Sequence, residues 1–360
     1  MLDSILLFPI FVFSLILCAG IVLFRRQLLE ISMNRNDLDA VQSSHVVPAP
    51  RVGGVAIFVA LGLGFVFSPT AMRDVYGGML LSLGPVFLVG MAEDFGYDMR
   101  PRYRLLAAAL SSGVAIAVFG TWVARSDIPG LDLVFDIAPI AILFTIFATA
   151  GVSNAFNLID GMNGLSSGIA IMTALGLGAV ALNLGDGDLA YFTFAMVAAL
   201  AGFLAFNFPF GKVFLGDAGA YSIGHVLAWV SILLMGRHAD LSTFSVLLIF
   251  FWPIADTVFA ILRRIGAGRP ADQPDRLHYH QFVMRALEIM ILGRGRRHIA
   301  NPLTTLLLWP LAAMPIICGV AFWNNTVAAL VSLMVFAAAF VFTYRMGMYY
   351  ARSRSRMSYG

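Results

Sequence analysis

Charge is scarce in this chain. Of its 360 residues only 12% are Asp, Glu, Lys or Arg, while 60% are hydrophobic. No stretch between apolar runs is long enough for a separate soluble domain, which points to a polytopic membrane protein. Lysine is almost missing: Lys212 is the only one, and arginine carries the remaining positive charge. The two cysteines, Cys18 and Cys318, lie in apolar runs at opposite ends of the chain. Neither a disulfide framework nor a cysteine metal site is supported. The net charge of +3 does not reflect nucleic-acid binding, because the basic residues lie between hydrophobic runs rather than on an aromatic-studded soluble face. Internal repeats and low-complexity tracts are also lacking.

What is present is a series of apolar runs. A spanning helix needs about 20 apolar residues. On that rule eleven spans are expected, at 5–24, 54–70, 76–92, 103–123, 137–152, 165–184, 189–206, 218–235, 243–262, 303–322 and 326–346. The expected fold is therefore all-α, a single membrane-embedded domain of about eleven transmembrane helices. The first run is preceded by Asp3 and followed by Arg25 and Arg26, the reverse of a cleavable signal peptide. Arginine sets the orientation. Loops 25–53, 93–102, 153–164, 207–217 and 263–302 hold most of the positive charge, while the alternate loops hold Arg73, Arg125 and Arg237. The arginine-rich side is expected to be cytoplasmic, with the N-terminus outside and the basic tail (Arg352, Arg354, Arg356) inside.

The polar residues divide the same way, so any chemistry is expected at the cytoplasmic face. Asn154, Asn157 and Asp160 recur every third residue, so on a helix they share a face, and Gly161, Gly164 and Gly168 follow. Such a row costs free energy if dry, and suits a nucleotide, phosphate or metal better than a plain turn. Glu93 and Asp94 are adjacent carboxylates at a membrane boundary, followed by Asp98 and Arg104. They repel each other unless a cation or proton is shared. Asp217 lies between Gly216 and Gly219, with Lys212 five residues earlier. An acid with Mg²⁺ and a lysine with phosphate is a familiar division of labour. His278-Tyr-His280-Gln281 follows Arg263, Arg264, Asp272, Asp275 and Arg276. No Cys or third nearby His completes a zinc set, so phosphate or sugar contacts fit better. Asp256 is an acid inside an apolar run near Pro253, and by default a functional suspect. Pro48-Ala-Pro-Arg51-Val-Gly-Gly54, just after His45, is a weak local signal. Residues 282–292 are expected as an interfacial helix rather than a span. The short Gly185-Asp-Gly-Asp188 loop reads as a plain turn.

Taken together, these blocks resemble the polyprenyl-phosphate N-acetylhexosamine-1-phosphate transferases. The resemblance runs from about residue 45 to 281 and is carried most specifically by the Asn154/Asn157/Asp160 and Gly216-Asp217 blocks. It implies transfer of an N-acetylhexosamine 1-phosphate, GlcNAc-1-phosphate by preference, from a UDP-sugar to undecaprenyl phosphate, with release of UMP. It further implies a requirement for Mg²⁺ (Mn²⁺ as a substitute), an active site on the cytoplasmic face of a bacterial inner membrane, and a role in cell-wall, lipopolysaccharide or O-antigen synthesis. Carried over, Asp217 falls to the metal, with Asp94 beside it. Glu93 and Asp94 fall to catalysis and the lipid phosphate. The nucleotide-sugar falls to Asn154, Asn157, Asp160, His278 and His280, with Arg51, Lys212, Asp256 and Arg276 as further substrate contacts. Two residues depart from the family pattern: Glu93 stands where Asp is usual, and Gln281 where His is common.

The nearest alternative is the phospho-N-acetylmuramoyl-pentapeptide transferase of peptidoglycan synthesis, whose histidine loop is richer in consecutive His and which usually has ten spans. A secondary transporter would place its acids near the midplane, often within internal repeats. Ala109 and Gly113 are spaced for close helix packing, which allows a homodimer.

Overall fold

The computed structural model describes residues 7–32, 49–97, 99–268, 277–293 and 295–357. Among them every regular element is helical. In chain order these are α1 (Leu7–Leu23), α2 (Arg25–Ser32), α3 (Gly53–Phe67), α4 (Arg73–Ser82), α5 (Gly84–Asp94), α6 (Pro101–Phe119), the short α7 (Asp132–Phe135), α8 (Ala138–Leu158), α9 (Leu165–Asn183), α10 (Gly187–Asn207), α11 (Gly216–Arg237), α12 (Thr243–Ile249), α13 (Phe251–Gly266), α14 (Tyr279–Leu287), α15 (Arg297–Ala321) and α16 (Thr326–Met357).

Among the described residues, seven helices are long and apolar enough to cross a membrane, and nine if each bent pair counts as one span. The chain is a multi-pass membrane protein. The shorter apolar helices α1 and α3 occupy the first two expected spans. Two expected spans are broken. The 76–92 run falls on α4 and α5, which meet at 43°, and the 243–262 run falls on α12 and α13, which meet at 84°. Proline supplies a reason in both places. Pro85 and Pro253 lack the N–H that would bond to Leu81 and Ile249 one turn earlier, so the ladder is interrupted at the joint. Elsewhere helices overrun expectation: α8 continues to Leu158 and carries Asn154 and Asn157 on its last turns.

The bundle is built around α11. Every residue from Gly216 to Leu234 is buried, and α3, α5, α6, α8 and α9 all pack against it. α3 and α11 approach closely: a Cβ on Gly54 would lie 2.4 Å from the Gly219 nitrogen. Glycine at both positions lets the two backbones touch. At the far end of α11, Arg237 pairs with Asp186 and Asp188 (2.9 Å each), and His238 Nε2 lies 3.0 Å from Asp186. The 185–188 turn is thus an ion-paired latch rather than a plain turn.

Candidate active site

The N-terminus of α11 gathers the acidic motifs. A helix start leaves backbone N–H groups without partners and attracts negative charge. Here Asp94, the last residue of α5, satisfies them: its Oδ1 accepts the Asp217 N–H at 2.8 Å and its Oδ2 the Ala218 N–H at 2.9 Å. Gly216 makes room for this. Its φ is +77°, and a Cβ there would lie 2.2 Å from the Arg51 carbonyl oxygen and 2.5 Å from Asp94 Oδ2.

The Pro-Arg-Gly-Gly block, a weak signal in isolation, is bound directly to the Gly-Asp block. Phe214 donates its N–H to the Pro50 carbonyl (2.9 Å), Gly53 to Phe214 (2.9 Å) and Gly54 to Leu215 (2.8 Å). This pairing delivers Arg51. Its Nη2 is 3.1 Å from Asp217 Oδ1 and its Nε 3.5 Å from Asp94 Oδ1. From α8, Asn157 Nδ2 donates to the same Asp217 oxygen at 2.8 Å. From α6, Arg104 Nη1 sits 3.2 Å from Glu93 Oε1. Glu93 Oε2 is buried with no hydrogen-bond partner among the described residues, and the carboxylate feels the charge of Asp217. Asp160 follows the end of α8 and faces the same group. Burial pushes its carboxyl well above the ordinary carboxylate range, Arg51 opposes the shift, and Asp217 and Asp94 add to it.

Four carboxylates (Glu93, Asp94, Asp160, Asp217) thus share two guanidiniums (Arg51, Arg104). Carboxyl groups outnumber guanidiniums here, and with one Glu93 oxygen unpartnered the group suits a hard divalent cation. No three acidic, histidine or cysteine side chains among the described residues form a ready-made metal cage. Mg²⁺ commonly takes one or two carboxylates and completes its shell with water and substrate phosphates. Glu93 keeps one oxygen without a hydrogen-bond partner among the described residues, and it stands beside Asp217 electrostatically. Asp94 has both oxygens committed to the α11 N-terminus.

A second cluster forms where α13 meets α14. Asp256 Oδ1 accepts the Tyr279 N–H at 2.9 Å, capping α14, and its Oδ2 lies 3.0 Å from His278 Nδ1 and 3.7 Å from His280 Nδ1. Both histidines are only 1% exposed, so they are not surface residues. The Nε2 atoms of both have no partner among the described residues. In His278 the aspartate on Nδ1 fixes the ring and leaves Nε2 to face a ligand, whereas His280 Nδ1, at 3.7 Å, makes no hydrogen bond among the described residues. Burial lowers the pKa of His280 below its ordinary value.

The Asn-Asp turn is held from behind by residues the sequence did not mark. Asn207 Oδ1 accepts the Gly164 N–H (2.6 Å) while its Nδ2 donates to Val213 (2.8 Å). Asn301 Oδ1 accepts the Asn163 N–H (2.9 Å), and Trp309 Nε1 donates to the Gly164 carbonyl (3.2 Å). Asn207 and Asn301 are lone amides at or near the ends of apolar runs, and that is the only trace they leave in the sequence.

Of the expected site residues, Arg51, Glu93, Asp94, Asn157, Asp160 and Asp217 come together, and Asp256 joins His278 and His280. Asn154 is half-buried on α8, and Lys212 is exposed, its Nζ 5.9 Å above the Phe210 ring. Among the described residues Lys212 makes no ion pair. Arg276, His45, Pro48, Asp98, Asp272 and Asp275 lie outside the described residues. Cys18 and Cys318 are both free.

Comparison with known proteins follows the same lines. Residues 76–235 match glycosyl transferase family 4. A decaprenyl-phosphate N-acetylglucosaminephosphotransferase of Mycobacterium leprae is 31% identical, over 78% of this chain and 77% of that protein. Its Mycobacterium tuberculosis counterpart is 32% identical, over 71% and 69%. An undecaprenyl-phosphate alpha-N-acetylglucosaminyl 1-phosphate transferase of Salmonella typhi is 29% identical, over 76% and 75%. With its acidic blocks assembled on one helix end and relatives of this identity along most of its length, the chain belongs to glycosyl transferase family 4.

Proposed function

We propose that the protein transfers GlcNAc-1-phosphate from UDP-GlcNAc to undecaprenyl phosphate and releases UMP, in the first membrane step of an envelope polysaccharide. The relatives' names support the lipid phosphate and the sugar. The observation that carries the reading is the group of four carboxylates and two guanidiniums at the α11 N-terminus, with one Glu93 oxygen unpartnered.

In this reading the chain is one membrane-embedded transferase domain. Counting each bent pair as one span and adding α1 and α3 gives eleven spans. That count and the arginine asymmetry support an N-terminus outside and an acidic cluster at the cytoplasmic face of a bacterial inner membrane.

The reaction joins two anions, so its barrier is largely electrostatic and positional. An oxygen of the lipid phosphate forms a bond to the β-phosphorus of the UDP-sugar. The bond from that phosphorus to the bridging oxygen breaks, and the electron pair leaves with UMP. Mg²⁺, when bound by Asp217 and Glu93 with Mn²⁺ as a substitute, supplies Lewis-acid neutralisation of the diphosphate. Arg51 holds Asp217 in place and adds positive charge beside it. Asn157 fixes the same Asp217 oxygen. Asp94 acts as a positioning residue. To serve as a covalent nucleophile it would have to divert an oxygen that accepts a backbone N–H of α11, so direct attack by the lipid phosphate is the simpler course. The Nε2 atoms of His278, oriented by Asp256, and of His280 beside it contact the nucleotide-sugar, with Asn154 and Asp160 as further polar contacts and Arg276 and Lys212 as contacts of its phosphates.

The deciding experiment is UMP release by purified protein with undecaprenyl phosphate and Mg²⁺, comparing UDP-GlcNAc with UDP-N-acetylmuramoyl-pentapeptide. Release with UDP-GlcNAc alone is expected. Release with the pentapeptide donor alone would move the protein into peptidoglycan synthesis. Solute uptake into proteoliposomes without UMP release would make it a transporter.

A further inference from the structure

The last helix, α16, is largely exposed: Val327, Val331, Met334, Val335, Phe342 and Met346 all face outward. One stripe is not. Phe340 and Tyr344 are 6% and 3% exposed, and with Thr343 they pack on α13 and α14, the elements that carry the Asp256–histidine cluster. The Phe340 ring lies 4.8 Å from Tyr279, tilted, and 5.6 Å from Trp252, edge-on, and the Tyr344 ring lies 4.7 Å from Phe259, edge-on, and 5.7 Å from Phe282, tilted. A Cβ on Gly347 would lie 2.5 Å from the Phe282 ring, so a glycine there admits it.

Apolar packing alone would hold a helix in place. This contact also carries directed polar groups, and they converge on one atom. Tyr344 Oη donates to the Leu277 carbonyl at 3.0 Å, and Arg263 Nη1 donates to the same oxygen at 2.7 Å. Arg263 also hydrogen-bonds the Tyr344 hydroxyl, and its guanidinium stacks 5.4 Å over the Tyr344 ring. A further bond joins Tyr279 Oη to Thr343 Oγ1 at 3.1 Å. Leu277 immediately precedes His278. Its carbonyl, in the peptide that leads into the histidine, is therefore pinned by α13 and α16 together.

We propose that Tyr344 and Arg263 are positioning residues for the nucleotide-sugar donor. They clamp the Leu277 carbonyl so that the Asp256 hydrogen bond sets the direction of the His278 ring. Asp256 fixes one end of the His278 backbone–side-chain unit through Nδ1, and the clamp fixes the peptide leading into it. Two anchors on one residue define a direction where one would leave a pivot. The last helix is thereby part of the donor site, although none of its own side chains is placed against the substrate. This inference rests on the assignment of the histidine block to the donor.

The test uses the full-length protein in lipid nanodiscs and the variant Tyr344→Phe, which keeps the ring and removes only Oη. Phe342→Ala, on the exposed face of α16, is the control. Hydrogen–deuterium exchange should speed up about fivefold over 277–287 in Tyr344→Phe, the loss of roughly one hydrogen bond, and stay at wild-type rate along α11. KM for UDP-GlcNAc should rise about fivefold, with KM for undecaprenyl phosphate and the Mg²⁺ midpoint unchanged. Unchanged exchange overturns the clamp. Faster exchange with unchanged kinetics, or equal losses towards both substrates, reduces it to ordinary packing and overturns its role in donor binding. Wild-type protein that releases no UMP would instead sink the transferase reading. The clamp itself would then stand on faster exchange over 277–287 and fall without it.

Discussion

Asp94 accepts the backbone N–H of Asp217, and through that bond two acidic motifs more than a hundred residues apart act as one unit. The arrangement gives neighbouring carboxylates different work. Asp94 spends both oxygens on the helix start, Asp217 Oδ1 is held by Arg51 and Asn157, and Glu93 Oε2 has no hydrogen-bond partner among the described residues.

Removing the Asp94 charge should therefore cost stability as well as activity. In Asp94→Asn one oxygen becomes an NH₂ group that cannot accept a backbone N–H, and the Arg51 contact weakens. The expected loss is about 1–2 kcal/mol, read as a lower unfolding temperature of the purified protein. UMP release should fall by roughly a hundredfold or more, as expected when a charged hydrogen-bond network at the reacting centre is broken. An Asp94→Asn protein as stable as wild type would remove the cap from the account.

Gly216→Ala tests the cradle. The added methyl meets the Arg51 carbonyl and Asp94 at 2.2 and 2.5 Å, and the +77° φ disfavours any side chain. A loss of about 2 kcal/mol or more is expected. Gly151→Ala, where nothing lies within 4 Å of the new Cβ, should be close to neutral. Comparable unfolding temperatures for the two variants would contradict the packing described.

The histidine cluster predicts a pH dependence. Burial holds the pKa of His280 below its ordinary 6.5, with Asp256 opposing and His278 reinforcing the shift. In the unfolded chain this histidine takes up a proton below 6.5, and in the folded chain only at lower pH. Its contribution to stability is complete above 6.5 and is lost as pH falls from there towards the folded value, with a slope of at most about 1.4 kcal/mol per pH unit. Unfolding temperature followed from pH 8 to pH 5 should drop less steeply in His280→Gln than in wild type. Parallel curves would mean that His280 takes up its proton over the same pH range in the folded and unfolded chain, and would contradict the lowered value.

Much of this was legible in the sequence, for physical reasons that also explain what was not. Apolar runs long enough to cross a bilayer predict helices without any tertiary knowledge. The one-sided carboxylates, amides and histidines marked the blocks that assemble around α11 and α13. The bends were missed because Pro85 and Pro253 look the same locally as Pro310 and Pro315, which lie inside α15 without breaking it. The strength of the Arg51 block was missed because its meaning is a backbone pairing with residues 214 and 215, and main-chain hydrogen bonds leave little imprint on side-chain identity. The link from Asp256 to His278 was missed for a similar reason: either residue alone has an ordinary reading, and only the fold puts them 3.0 Å apart. Asn207, Asn301 and Tyr344 act by bonding to distant backbone, which spacing cannot reveal.

The measurement that tests the central claim most directly is the Mg²⁺ titration of UMP release in wild type, Asp217→Asn, Glu93→Gln and Asp94→Asn, with Mn²⁺ binding followed by electron paramagnetic resonance in the same proteins. The account predicts that Asp217→Asn abolishes the metal response and that Glu93→Gln shifts its midpoint upward. It predicts that Asp94→Asn lowers the rate while leaving the midpoint and the Mn²⁺ signal in place. A normal metal response in Asp217→Asn, or one lost only in Asp94→Asn, would contradict it.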